Sequence, residues 1–124
     1  MYEYRMTPQR VIDGDSIVAQ VNLGLNVHKV EYLRLAGIDA PELNSSDPLI
    51  REKAQAAKAF LDDLLFNGPG GRVFIVRTEK PYSTDKYGRW LGNIVAIDLD
   101  ATLTNINELM ISSGYAVSYS GGAR

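Results

Sequence analysis

The sequence predicts a mainly β, α+β domain: five strands forming a small closed barrel, with one helix after the third strand and a short helix after the fifth. Three observations carry that expectation. Short runs rich in Val, Ile and Leu are punctuated by Gly, Pro, Asn and Asp. One segment in the middle of the chain repeats its apolar residues at helical spacing. The order of strands and helices is that of a five-stranded barrel of the OB type. An open α+β sheet would fit the same order and stays open as the alternative.

The elements follow in order. Tyr2 to Ile12 reads as a first strand, and "SIVAQV" (Ser16 to Val21) as a second. "NLGLN" (Asn22 to Asn26) is a turn. "VHKVEYLRLAGI" (Val27 to Ile38) is a longer third strand, and its apolar parity changes near Lys29 to Glu31, which predicts a bulge or a strand buried on both faces. "NSSDPL" (Asn44 to Leu49) is a loop. Beyond it Ile50, Ala54, Ala57, Leu61 and Leu64 share one helical face, so Ile50 to Phe66 is an amphipathic helix, with Asp47 as N-cap and Pro48 at its first position. "NGPGG" ends it. "RVFIVRTE" (Arg72 to Glu79) and "RWLGNIVAIDL" (Arg89 to Leu99) are strands joined by the loop "KPYSTDKYG". "TNINELMISS" (Thr104 to Ser113) is a short helix with Asn105 and Glu108 at capping-box spacing, and "YAVSYSGGAR" is a tail. There is no internal repeat or linker, so residues 1–124 form one domain.

Composition narrows the chemistry. With no cysteine, thiolate catalysis, disulfides and Cys-based metal sites are excluded. The single histidine, His28 in "GLNVHKVEY", suits an exposed strand or hairpin position better than a catalytic triad or a His-rich metal site. Any metal must be held by oxygens, which points to Ca²⁺ or Mg²⁺. A net charge of −2 and a pI near 5.3 argue against nucleic-acid binding by bulk charge. The stretch Arg72 to Arg89 is locally basic, with five bases against two acids, although a solvated hairpin explains that equally well. No apolar run is long enough to span a bilayer. The polar start "MYEYRMTPQR" is no signal peptide; the expectation is a cytoplasmic or phage-encoded protein, or the mature form of a secreted one.

Two acidic turns stand out. "DGD" places Asp13 and Asp15 around Gly14, read here as a glycine that lets a tight turn form at positive φ. "GIDAPE" offers Asp39, the main-chain carbonyl of Ala40 and Glu42 within four residues, the mixed oxygen donors that hard cations take. Each alone is also an ordinary Asp- or Pro-bearing turn. Converging carboxylates repel, so if the turns meet, something positive should lie between them. Arg34 sits between Leu33 and Leu35 and therefore faces away from the side those leucines bury. Arg89 opens a later strand. Two planar guanidiniums, a cluster of oxygens and a spare carboxylate are the components of phosphodiester cleavage, while a surface salt bridge is the plain alternative for each arginine.

The strings "VIDGDSI", "YLRLAGIDAPEL" and "STDKYGRWLGNI" resemble the staphylococcal nuclease family. The resemblance runs from the first strand to about Tyr119 and implies an OB-type barrel. It implies Asp15 and Asp39 as Ca²⁺ ligands, assisted by the Ala40 carbonyl, with Asp13 in the outer shell. It implies Glu42 as the residue that activates water, and Arg34 and Arg89 as phosphate-binding catalytic arginines. Lys86 and Tyr87 would contact the nucleotide, and Tyr115 and Tyr119 are candidates to stack on it; packing in the core is the alternative for Tyr115. The expected activity is calcium-dependent cleavage of DNA and RNA to 3′-phosphate and 5′-hydroxyl ends by a monomer that prefers single strands and does not bind membranes. The alternatives are a non-catalytic nucleic-acid-binding OB module and a calcium-binding structural domain. Ala40 stands where the best-known member has a hydroxyl residue. That member also has a further helix beyond the barrel, and the resemblance implies, as an expectation, that the edge of the core it covers is open here or covered by a partner. As phosphate ligands, Arg34 and Arg89 are expected to be replaceable with little cost to folding.

Overall fold

In the computed structural model, residues 2–79 and 88–119 are described. β1 (Tyr2–Asp13) and β2 (Ser16–Gly24) form an antiparallel hairpin, and β2 continues into β3 (Val27–Leu35). After β4 (Ile38–Asp39) and helix α1 (Pro48–Phe66), β5 (Val73–Thr78) pairs antiparallel with the first half of β1. β6 (Trp90–Ile97) pairs with β5 on one side and, in parallel, with β3 on the other. That last pairing closes the ring β1-β2-β3-β6-β5, so the backbone groups of the seam are satisfied within the sheet. The chain is thus the five-stranded OB-type barrel expected, rather than the open sheet. Short β7 (Leu103–Asn105) extends β6, α2 (Ile106–Ser112) follows, and β8 (Val117–Ser118) pairs with β4.

Alternation in the strands supplies the core. Ile17, Ala19 and Val21 of β2 and Leu33 and Leu35 of β3 point inward with no exposure. They meet Val76, Ile94 and Ala96 from β5 and β6. α1 covers one side of the barrel with Ala54, Ala57, Leu61 and Leu65. This stripe differs slightly from the predicted one: Ile50 is exposed, and Leu65 replaces Leu64 as the fully packed residue. Asp47 caps the helix as expected, its side chain accepting the Leu49 N–H at 2.9 Å, with Pro48 opening the first turn. No helix among the described residues is long and apolar enough to cross a membrane.

Three local expectations are corrected. β3 carries no bulge at Lys29 to Glu31, because its register against β2 is continuous from His28 to Arg34. The parity change there reflects exposed Val27 and Val30 rather than a second buried face. The irregularities lie in β1, between Pro8 and Arg10 and between Val11 and Asp13, and at the end of β2, between Asn22 and Gly24. The turn predicted over Asn22 to Asn26 shrinks to Leu25 and Asn26, both at positive φ (52° and 63°); a two-residue hairpin turn of that hand matches the twist of the strands it joins. The third strand ends at Leu35, and Gly37 at φ 77° redirects the chain into β4.

Candidate active site

The site forms at the end of the barrel where the β1–β2 turn meets the chain leaving β3. Register brings them together: Ser16 pairs with Arg34, and the Leu35 N–H donates to the Asp15 carbonyl at 2.8 Å. Gly14 makes the approach possible. A Cβ built on it would lie 2.7 Å from Ala40 Cβ and 2.8 Å from Ala57 Cβ. Its φ is not positive, so the "DGD" glycine is required by close contact with two neighbouring segments and not by turn geometry, contrary to the expectation above.

Asp15 is only 6% exposed. Its Oδ2 accepts the Ala40 N–H at 2.9 Å and lies 3.2 Å from Arg34 Nη1, and its Oδ1 accepts the Ser16 hydroxyl at 3.3 Å. Asp13 Oδ1 accepts the Asp15 N–H at 3.0 Å. Burial, followed by the neighbouring Asp13 side chain, pushes the Asp15 carboxyl up to about 6, against the opposing pull of the Ala40 N–H and Arg34.

Arg34 is the positive group between the two turns. Its side chain does leave the leucine face, as predicted, but it is buried (5% exposed) because the β3–β4 turn folds back over it. Nη1 donates to the carbonyls of Asp15 (3.4 Å) and Leu35 (3.2 Å), and Nη2 donates to Ile38 O at 3.0 Å. Nη2 also lies 3.7 Å from Asp39 Oδ1, an ion pair longer than a hydrogen bond. One guanidinium therefore spans Asp15 and Asp39. The expectation that Arg34 could be removed at little cost to folding is overturned by this burial, since loss of one partner strands buried charge.

Asp39 is held from its other side by β8, where it pairs with Val117 while Ile38 pairs with Ser118. The "tail" after α2 is therefore partly a strand that fixes the backbone of a predicted ligand. Tyr119 follows, its N–H on the Gly37 carbonyl at 2.8 Å. Tyr115 is half-buried and stacks on Phe60 of α1, with ring centroids 4.3 Å apart and planes 21° apart, the packing arrangement anticipated as its alternative. Glu42 is exposed in the loop just after Ala40, and among the described residues no hydrogen bond or ion pair engages its carboxylate. Arg89 is half-buried, and its Nη1 reaches the Ser16 hydroxyl at 3.5 Å. Lys86 and Tyr87 lie outside the described residues.

Two residues of this region escaped the sequence reading. Ser16 is 2% exposed and joins Arg89 to Asp15, accepting from the Arg89 guanidinium and donating its hydroxyl proton to the Asp15 carboxylate. Its position before an apolar strand gave no signal beyond a strand start. Asn107 of α2, also 2% exposed, accepts the Ile94 N–H (3.0 Å) and donates to Ala36 O (2.8 Å) and Gly92 O (3.2 Å). It ties the helix to the β3–β6 seam and to the turn that carries the site. A polar residue amid "INELM" at a core-facing position was the available clue.

The donors suit a hard cation. Asp15, Asp39 and the Ala40 carbonyl are all oxygen donors, and a buried carboxylate pushed up toward neutrality is one that a cation would relieve. Among the described residues the site offers two carboxylates bridged by an arginine, and no cluster of three acidic or imidazole ligands. The fold and this arrangement define an OB-type barrel whose closing seam gathers arginines and carboxylates at one end. A family model described as staphylococcal nuclease homologue matches residues 32–123, and the chain belongs to that family of nucleases and nucleic-acid-binding domains. The match includes Arg34, Asp39, Glu42 and Arg89; the turn bearing Asp13 and Asp15 precedes it, so its place in the site rests on the β2–β3 register. None of the curated proteins compared with the chain matches it.

Proposed function

We propose that the protein is a calcium-dependent nuclease that hydrolyses DNA and RNA, with single strands preferred, to 3′-phosphate and 5′-hydroxyl ends. The observation that carries this reading is Arg34 bridging Asp15 and Asp39, with Arg89 one hydroxyl away. Asp15, Asp39 and the Ala40 carbonyl would hold Ca²⁺, with Asp13 behind them. When bound, the cation supplies Lewis-acid stabilisation of the phosphate.

The protein's own groups do the rest. Glu42, exposed in the adjoining loop, orients a water and takes its proton as the oxygen attacks phosphorus; the P–O5′ bond in line with it breaks, and the leaving 5′-oxygen takes a proton from solvent to give the 5′-hydroxyl. Arg89 and Arg34 hold the non-bridging oxygens more tightly as charge develops, which is where their contribution to rate arises. Arg34 already serves protein acceptors with both terminal nitrogens. Its main contribution is therefore fixed positive charge, and Arg89 is the principal ligand of the phosphate oxygens. Modest overall acidity leaves binding to the site's arginines and to base stacking.

The test is to incubate the protein with labelled single-stranded DNA and RNA, with Ca²⁺ and with a chelator, and to identify the product ends. Calcium-dependent cutting to 3′-phosphates is expected. Retarded mobility without cutting would make the protein a binding module, and neither effect would leave a calcium-binding structural domain.

A further inference from the structure

A nuclease that reads no particular sequence gains affinity by stacking bases on aromatic rings, and the described tyrosines can be sorted by where their rings lie. One face of Tyr115 is covered by Phe60. Tyr32 is different. It is 53% exposed, on β3 two residues before Arg34. Residues two apart on a strand share a face, so Tyr32 stands on the same side of the sheet as Arg34, about 7 Å along the strand from it.

Its neighbours place it beside the rest of the site. Across β2 it pairs with Val18, as Arg34 pairs with Ser16. On the other side, the parallel register begins with Leu33 against Trp90, so Arg89 and Tyr32 each stand one residue before the start of that ladder. The Arg89 guanidinium reaches Ser16, the cross-strand partner of Arg34, which puts it on this same face. An exposed aromatic residue therefore stands on the face that carries both arginines, with exposed Val30 (56%) continuing that face away from them.

We propose that Tyr32 is a substrate-positioning residue: its ring stacks on the base of a nucleotide flanking the phosphate held by Arg34 and Arg89. This rests on the nuclease reading above. The ring accepts any base, orients the strand along β3 and favours single strands, because a base paired in a duplex has no free face to offer.

The experiment compares wild type, Tyr32→Ala and Tyr32→Phe on single-stranded oligothymidylate and on an abasic deoxyribose-phosphate oligomer of equal length, in Ca²⁺. Tyr32→Ala should raise KM for the oligothymidylate by about five- to a hundredfold, with the loss in KM rather than kcat. The same variant should leave KM for the abasic oligomer close to the wild-type value. Tyr32→Phe keeps the ring and should recover most of the affinity. Equal effects of Tyr32→Ala on both oligomers, or no effect on either, would overturn the stacking role while leaving the nuclease intact. A wild type that cuts neither oligomer would remove the nuclease reading itself, and this inference with it.

Discussion

Gly14→Ala is a small change with a consequence that the geometry fixes. The added methyl would sit 2.7 Å from Ala40 Cβ and 2.8 Å from Ala57 Cβ, whereas carbon atoms settle about 3.5–4.0 Å apart. Both neighbours are Cβ atoms attached directly to backbone, so no side-chain rotation relieves the overlap. Both α1 and the chain at Ala40 must move, or the β1–β2 turn must back away from the two of them, by most of an ångström. Overpacking of this kind costs about 1–3 kcal/mol. Because the glycine does not use positive φ, alanine returns about 0.4–1 kcal/mol by restricting the unfolded chain. The net is a loss of about 1–2 kcal/mol, or a fall in Tm of about 4–8 °C. Thermal and urea unfolding followed by circular dichroism would read it. Ala57→Gly removes one of the two clashing methyls, so it should cost less in the Gly14→Ala background than in the wild type, where it weakens the helix by about 1 kcal/mol. The displaced Ala40 N–H should also loosen its bond to Asp15 and reduce any rise in Tm on adding Ca²⁺. A Gly14→Ala protein as stable as the wild type, or strict additivity of the two substitutions, would refute the reasoning.

Other outcomes follow from the same contacts. The fold raises the Asp15 carboxyl from 3.8 to about 6, so it favours the protonated form. The associated stability of the metal-free protein is fully present below about pH 4 and is lost as pH rises through about 6, a change of order 2–3 kcal/mol. The difference in Tm between wild type and Asp15→Asn should change over that window, and a constant difference would contradict the assignment. At neutral pH, Ca²⁺ should raise Tm by linkage; a melting curve indifferent to saturating Ca²⁺ would count against the site. Arg34→Ala should lose about 3–5 kcal/mol of stability as well as turnover, whereas Arg89→Ala should lose turnover with a much smaller shift in urea midpoint. Glu42→Gln, at an exposed position, should cut kcat severely while leaving Tm and the Ca²⁺-induced shift in place, and unchanged turnover would end its role with water. Asn107→Ala takes the side-chain partner from the Ile94 N–H and the Ala36 carbonyl, while the Gly92 carbonyl keeps the Ala36 N–H, and should cost about 2–3 kcal/mol, measured by the same unfolding curves.

Local alternations and their ends are legible in the order of residues. Leu33 and Leu35 around Arg34 fixed which way the arginine leaves its strand, and Asp47 with Pro48 fixed where α1 begins. Asn105 four residues into "TLTNINE" fixed the cap of α2, its side chain accepting the Glu108 N–H. These features depend on neighbours within one turn or one pleat, so spacing reveals them. What surrounds those side chains emerges only when the barrel closes. Arg34 is buried because Gly37 turns the chain back over it, and Gly14 is needed because Ala40 and Ala57 crowd it. Ser16 links Asp15 to Arg89, and Asn107 latches the seam, because β3 closes against β6 in a register that no local pattern encodes. The residues concerned lie far apart in the chain, and their meeting depends on strand pairing and barrel closure, whose energy is spread over the whole core rather than written in any one segment.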